Sequence, residues 1–198
     1  MKQPFLKIFY LKKRIIFPFC TLSVVIKMTD DVKEIKLGDR ILAFTVRTII
    51  DVLLYRNRLA TLAEVADVAY DGQTVKLMLK GLSRVRITRL IKFKYAEFAI
   101  LESETIESHE LIMDNLRKKS QELVFLINVE ESDKLIKLLD YIIDLNQMTD
   151  FIANYFVMDI RKRLKLYNEV DIRKRGQLLL TELTEIVNKM TKKRKKSL

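Results

Sequence analysis

The chain is 198 residues long, 49% hydrophobic, with four glycines, two prolines and a formal charge of +11. That length and apolar content are enough for packed cores and exclude a disordered or low-complexity protein. A single cysteine, Cys20, rules out an internal disulfide, and a single histidine, His109, rules out a histidine-rich metal site.

The charge is unevenly placed. Residues 1–105 hold 19 Lys and Arg against 11 Asp and Glu, whereas residues 106–198 hold 18 against 15 and concentrate their excess at the very end. At the amino terminus, Lys2, Lys7, Lys12, Lys13 and Arg14 precede an apolar run over 15–26, the outline of a signal peptide. Pro18 breaks that run, however, and Lys27-Met28-Thr29-Asp30 follows it where a small-residue cleavage site would be needed. The run is also too short to span a bilayer, which takes about 20 apolar residues. It reads as two buried strands and a turn in a cytoplasmic protein that does not engage a membrane. Cys20 reads as a small apolar core residue.

Strands are expected over 8–11, 22–27, 41–46, 59–70, 74–80, 83–93 and 95–103, with a short helix near 31–37 ahead of Gly38. The clearest signal is a hairpin at Asp71-Gly72, the dipeptide favoured in a type I′ turn. Beyond it Val75, Leu77 and Leu79 alternate with Lys76, Met78 and Lys80, one face apolar and one wet. Strands this closely spaced suggest a small barrel or sandwich. Residues 48–58 are apolar without a clear period and read as an insert between strands, where binding function often sits.

Past Glu107 the period becomes helical. One helix runs from Ser108 or His109 to about 128, Ser132 caps a second, Thr149 caps a third through about 158, and 159–167 forms a fourth. The last starts at Asp171, with an apolar stripe of Ile172, Gly176, Leu179, Leu183, Ile186 and Met190. Residues 191–198, with five consecutive cations, read as a solvated basic tail.

Enzymatic parts are missing. Glycine occurs only at 38, 72, 81 and 176, so no phosphate-cradling loop exists and nucleotide hydrolysis is excluded. His109 lacks companions for a metal site. Glu130, Glu131 and Asp133 suit the charge preference of a helix start better than acid–base chemistry. The sequence therefore yields no catalytic residue, no metal ligand and no cofactor. Arg84 and Arg86, two apart in a strand, share a face opposite Val85 and Ile87. They form either a basic strip for an acidic ligand or RNA, or structural charges paired with Glu64, Glu97 or Glu102.

The run Lys80-Gly81-Leu82-Ser83-Arg84-Val85-Arg86-Ile87 resembles the "VEGLxRVRI" signature of the amino-terminal, substrate-binding domain of Lon-type ATP-dependent proteases. Ile15-Ile16-Phe17-Pro18 is similar to that domain's "VLFP" opening, and Asp171-Ile172-Arg173-Lys174-Arg175 through Leu178-Leu179 is similar to its closing helix. The chain departs from the pattern at Phe19, where the family usually has Gly, at Phe9-Tyr10 for a Leu-Pro pair, near Ser23 and Val24 for a second Pro, and at Ala60-Thr61 for Gly-Thr.

The resemblance implies an α+β fold: a PUA-like β-barrel over 1–105 followed by a helical bundle over 106–190, with the basic tail at 191–198. It implies a stand-alone, non-catalytic adaptor, without the family's ATPase and Ser-Lys peptidase domains, that contacts unfolded or target polypeptides. Phe17, Phe19, Ile49, Leu53 and Tyr55 are the expected polypeptide contacts. Arg84, Arg86, Lys192, Lys193 and Arg194 are the expected basic surface. A homodimer and a full-length Lon protease are further expected partners. Two alternatives stay open: an RNA-binding PUA-like module, and a scaffold that regulates a full-length Lon protease through mixed oligomers.

Overall fold

Two long strands, β4 (Leu59–Asp71) and β5 (Thr74–Ile91), organise the first part of the chain. The computed structural model describes residues 5–48, 58–101, 110–127 and 132–196. By the density of its own contacts the chain separates into units 1–102 and 103–198.

Unit 1–102 also contains β1 (Phe5–Lys12), β2 (Thr21–Lys27), the short helix α1 (Asp30–Lys33), β3 (Arg40–Val46) and β6 (Tyr95–Ile100). β5 pairs with the whole of β4 through Thr74 to Arg86; on its other edge it takes β2 over its first half and β6 over its second. β6 also pairs with β1, β1 runs parallel to β3, and β3 pairs with β4. The ring β5–β4–β3–β1–β6 therefore closes on itself, with β2 attached outside it. Closure removes the edges that an open sheet of this length would expose.

The expected alternation in β5 holds: Val75, Leu77 and Leu79 are fully buried while Lys76, Met78 and Lys80 face water. β3 is buried on both faces, which explains its nearly continuous apolar run. Ile41 and Ala43 join a core with Val24, Val65 and Leu77, whereas Leu42, Phe44 and Val46 join another with Val85, Ile87 and Phe98.

The hairpin turn lies one residue beyond its expected place. Asp71 pairs with Thr74, leaving Gly72 and Gln73 in the loop, and of these only Gly72 (φ 53°) is left-handed, as in a type II′ turn. The type I′ pattern occurs instead between β5 and β6. There Lys92 (φ 48°) and Phe93 (φ 56°) are both left-handed, and the Lys94 amide donates to the Ile91 carbonyl at 3.1 Å.

Unit 103–198 contains α2 (Glu110–Ile127), α3 (Ser132–Tyr141), α4 (Leu145–Phe156), α5 (Ile160–Asn168) and α6 (Ile172–Lys196). α6 packs on α2, α4 and α5. Aspartates start three of these helices: Asp144 accepts from the Gln147 amide at 2.8 Å, Asp159 from Arg161 and Lys162, and Asp171 from Arg173 and Lys174. Thr149, expected as a cap, is instead fully buried inside α4, one turn past its start.

The stripe of α6 buries Ile172, Gly176, Leu179 and Leu183 as expected. It then continues to Val187, not Ile186, because straight-helix packing follows the four-residue step there. The backbone stays helical to Lys196, through most of the expected tail, with Lys192 to Lys195 exposed. A Cβ on Gly176 would lie 2.8 Å from Cγ2 of Ile112, so glycine sets how closely α6 approaches α2.

Candidate functional site

The chain between β1 and β2 crosses the middle of β5, and Gly81 makes the crossing feasible. A Cβ there would lie 2.3 Å from the Phe17 carbonyl oxygen, so only glycine lets the two backbones meet. Three backbone hydrogen bonds fasten the contact. The Phe19 amide donates to Gly81 O and the Gly81 amide to Cys20 O, each at 2.9 Å, while the Cys20 amide donates to Phe17 O at 3.2 Å. One residue earlier, the Thr61 hydroxyl of β4 donates to Ile16 O at 2.7 Å.

This crossing decides which of the expected contacts can touch a partner. Phe17 is wholly buried (0% exposed) beneath it, which corrects its expected role as a polypeptide contact: its ring fills the core. Phe19, two residues on, is 52% exposed and left-handed at φ 63°. That conformation accounts for glycine as the usual residue at this point of the family pattern, since a Cβ is disfavoured there. Ile49, Leu53 and Tyr55 lie outside the described residues.

The basic strip divides in the same way. Arg86 is exposed, but Arg84 is 7% exposed and is no part of a basic surface. It sits opposite Thr61, on the stretch of sheet beneath the crossing chain, and so cannot reach solvent as Arg86 does. Of the carboxylates considered as partners for these arginines, Glu97 pairs with Arg89 at 3.7 Å, and Glu64 stands opposite Lys80. Glu102 lies outside the described residues, as do His109, Glu130 and Glu131. Lys192, Lys193 and Arg194 are exposed on the last turns of α6.

Sequence reasoning missed two arrangements. The first is that β2, among the described residues, pairs with β5 alone and so offers a free edge beginning two residues after Phe19. No local signal distinguishes an edge strand from an inner one here. The second is a buried polar node in the helices. Arg175, 2% exposed, donates to the Thr149 hydroxyl at 3.2 Å, to Asn146 Oδ1 at 2.5 Å and to the Glu169 carbonyl at 3.0 Å, with the buried Asp150 carboxylate 3.9 Å away.

Among the described residues, no three Asp, Glu, Cys or His side chains gather where they could hold a metal ion, and no helix is long and apolar enough to cross a membrane. A depression on the helices, lined by Glu169, Lys174, Gln177, Leu178 and Thr181, is open to solvent.

A closed barrel crossed by the chain between β1 and β2, followed in sequence by a helical unit, is the fold of the N-terminal domains of Lon proteases. The substrate-binding-domain family of ATP-dependent protease La (Lon) matches residues 6–185, and the chain belongs to that family. The N-terminal domain of the Mycobacterium avium complex Lon protease is similar in fold, with a TM-score of 0.69 at 14% identity over 91% of this chain and 98% of that one. A Lon N-terminal domain protein from Xanthomonas campestris is also similar, with a TM-score of 0.57 at 16% identity over 90% of this chain and 98% of that one. A search of curated proteins finds no match in sequence.

Proposed function

We propose that this protein is a recognition module that binds unfolded or target polypeptides in the cytoplasm and performs no chemistry itself. The observation that carries the reading is the family match: the substrate-binding domain of Lon spans residues 6–185, nearly all of the chain. The exposed Phe19 supports it, since an aromatic held at a disfavoured backbone conformation in solvent has no evident packing reason to be there. In this reading the module works alone or alongside a full-length Lon protease, presenting captured chains to it.

The test is fluorescence anisotropy with a labelled, reduced and carboxymethylated polypeptide and with a labelled RNA, each at low and high salt. Saturable polypeptide binding, falling less steeply with salt than any RNA binding, is the expected result. RNA binding that collapses with salt, with no polypeptide binding, would move the assignment to the exposed cations of Arg86 and the end of α6.

A further inference from the structure

We propose that the free edge of β2 is the polypeptide-binding element, taking an extended segment of alternating acidic and apolar residues as an added strand. This deepens the polypeptide-binding reading and rests on it. The register supplies the argument. Residues of β2 and β5 pair as Thr21 with Lys80 through Lys27 with Thr74, and the same register continues at both ends. At one end Cys20 O accepts from the Gly81 amide, and at the other the Met28 amide donates to Gln73 O.

In an antiparallel pair the hydrogen-bonding residues alternate. Even-numbered residues of β2 therefore spend their backbone groups on β5, and Thr21, Ser23, Val25 and Lys27 turn theirs to the open side. All four are exposed. A side-chain bond at this edge fits the parity: Arg14 donates to Ser23 O at 3.4 Å, a long contact that an incoming amide can replace.

A row of alternating backbone donors and acceptors is chemically complementary to an extended peptide. The charges around it select the occupant. Arg14 and Lys27 lie at the edge, and Lys76 and Lys80 stand behind it on β5 opposite Val25 and Thr21, Lys80 with Glu64 on its far side, next to the apolar Val25 and Met78. Carboxylates and β-branched side chains on the added strand complement this border. A second copy of β2 would bring like charges together, so a foreign segment is the favoured occupant. Phe19, exposed just before β2 begins, supplies an aromatic anchor at one end of the edge.

The deciding probe is a fluorescein-labelled peptide of about ten residues alternating valine and glutamate, alongside a twin N-methylated at every second amide to remove one edge of donors. The protein variant is Val25→Pro, which deletes an amide that β5 does not use and is tolerated on an edge strand. Binding to the wild type that weakens at least about tenfold with either change, at unchanged melting temperature and circular dichroism, establishes strand addition.

Equal affinity for both peptides overturns it while leaving polypeptide recognition intact. Failure of the wild type to bind this peptide also overturns it, and the carboxymethylated polypeptide then shows whether recognition itself survives. If Val25→Pro misfolds, the comparison of the two peptides decides alone. A concentration-dependent dimer that the peptide does not dissociate and that Val25→Pro abolishes assigns the edge to a second copy and overturns the proposed occupant.

Discussion

Phe19 and Gly81 face each other across one hydrogen bond and make opposite demands on the backbone. A side chain at φ 63° costs roughly 1–2 kcal/mol relative to an ordinary conformation, and glycine removes that cost. Phe19→Gly is therefore expected to hold or raise the melting temperature while weakening affinity for unfolded polypeptide; a marked drop in thermal stability would show that the ring packs. Gly81→Ala must instead push the Phe17 carbonyl away, and we expect destabilisation of about 1–3 kcal/mol or more by chemical denaturation. The glycine was legible in the sequence as a letter of a family signature. Its reason was not, because the atom that forbids a Cβ belongs to a residue 64 positions earlier in the chain.

Helix starts show what can be read locally. Asp159 and Asp171 mark their helices plainly in the sequence, and hydrogen bonds from backbone amides hold both carboxyls below the usual aspartate range. A depressed folded-state pKa contributes stability at neutral pH that is lost as pH falls through the carboxylate range and below it. The melting-temperature gap between the wild type and the Asp159→Ala, Asp171→Ala double variant is thus expected to be widest near pH 7 and to close toward pH 3; a gap that persists in acid would mean that the aspartates act through packing. Thr149 misled because it has a cap's chemistry but lies in the interior, where it accepts from Arg175. That arginine ends a run of cations, Arg173-Lys174-Arg175, and carries no local mark of burial. Only the fold shows it buried, bonded to Thr149, Asn146 and the Glu169 carbonyl beside Asp150, and Arg175→Ala is expected to cost about 3–5 kcal/mol in denaturant unfolding by breaking that buried charged network. Strand existence, the hairpin and the change of period near residue 107 were all visible in the sequence. The pairing order that makes β2 an edge was not, since it depends on partners distant in the chain.

At the scale of the molecule, each unit has a buried apolar core of its own, around Leu42, Leu77 and Val85 in one and around Leu116, Met148 and Leu179 in the other. Residues 1–102 expressed alone are therefore expected to unfold cooperatively with a β-type circular dichroism spectrum; a non-cooperative melt would show that the barrel depends on the rest of the chain. The barrel has a temporal consequence as well. β2 has no described strand partner until β5 is made, and β1 lacks its second partner until β6 is made. During synthesis at about 5–20 residues per second, the apolar stretch around Ile15 to Ile26 waits several seconds for the strand that shelters it. A protein that we read as a receptor for unfolded chains thus begins its own life displaying the kind of segment it would capture, and nascent copies are a natural first competitor for the finished ones.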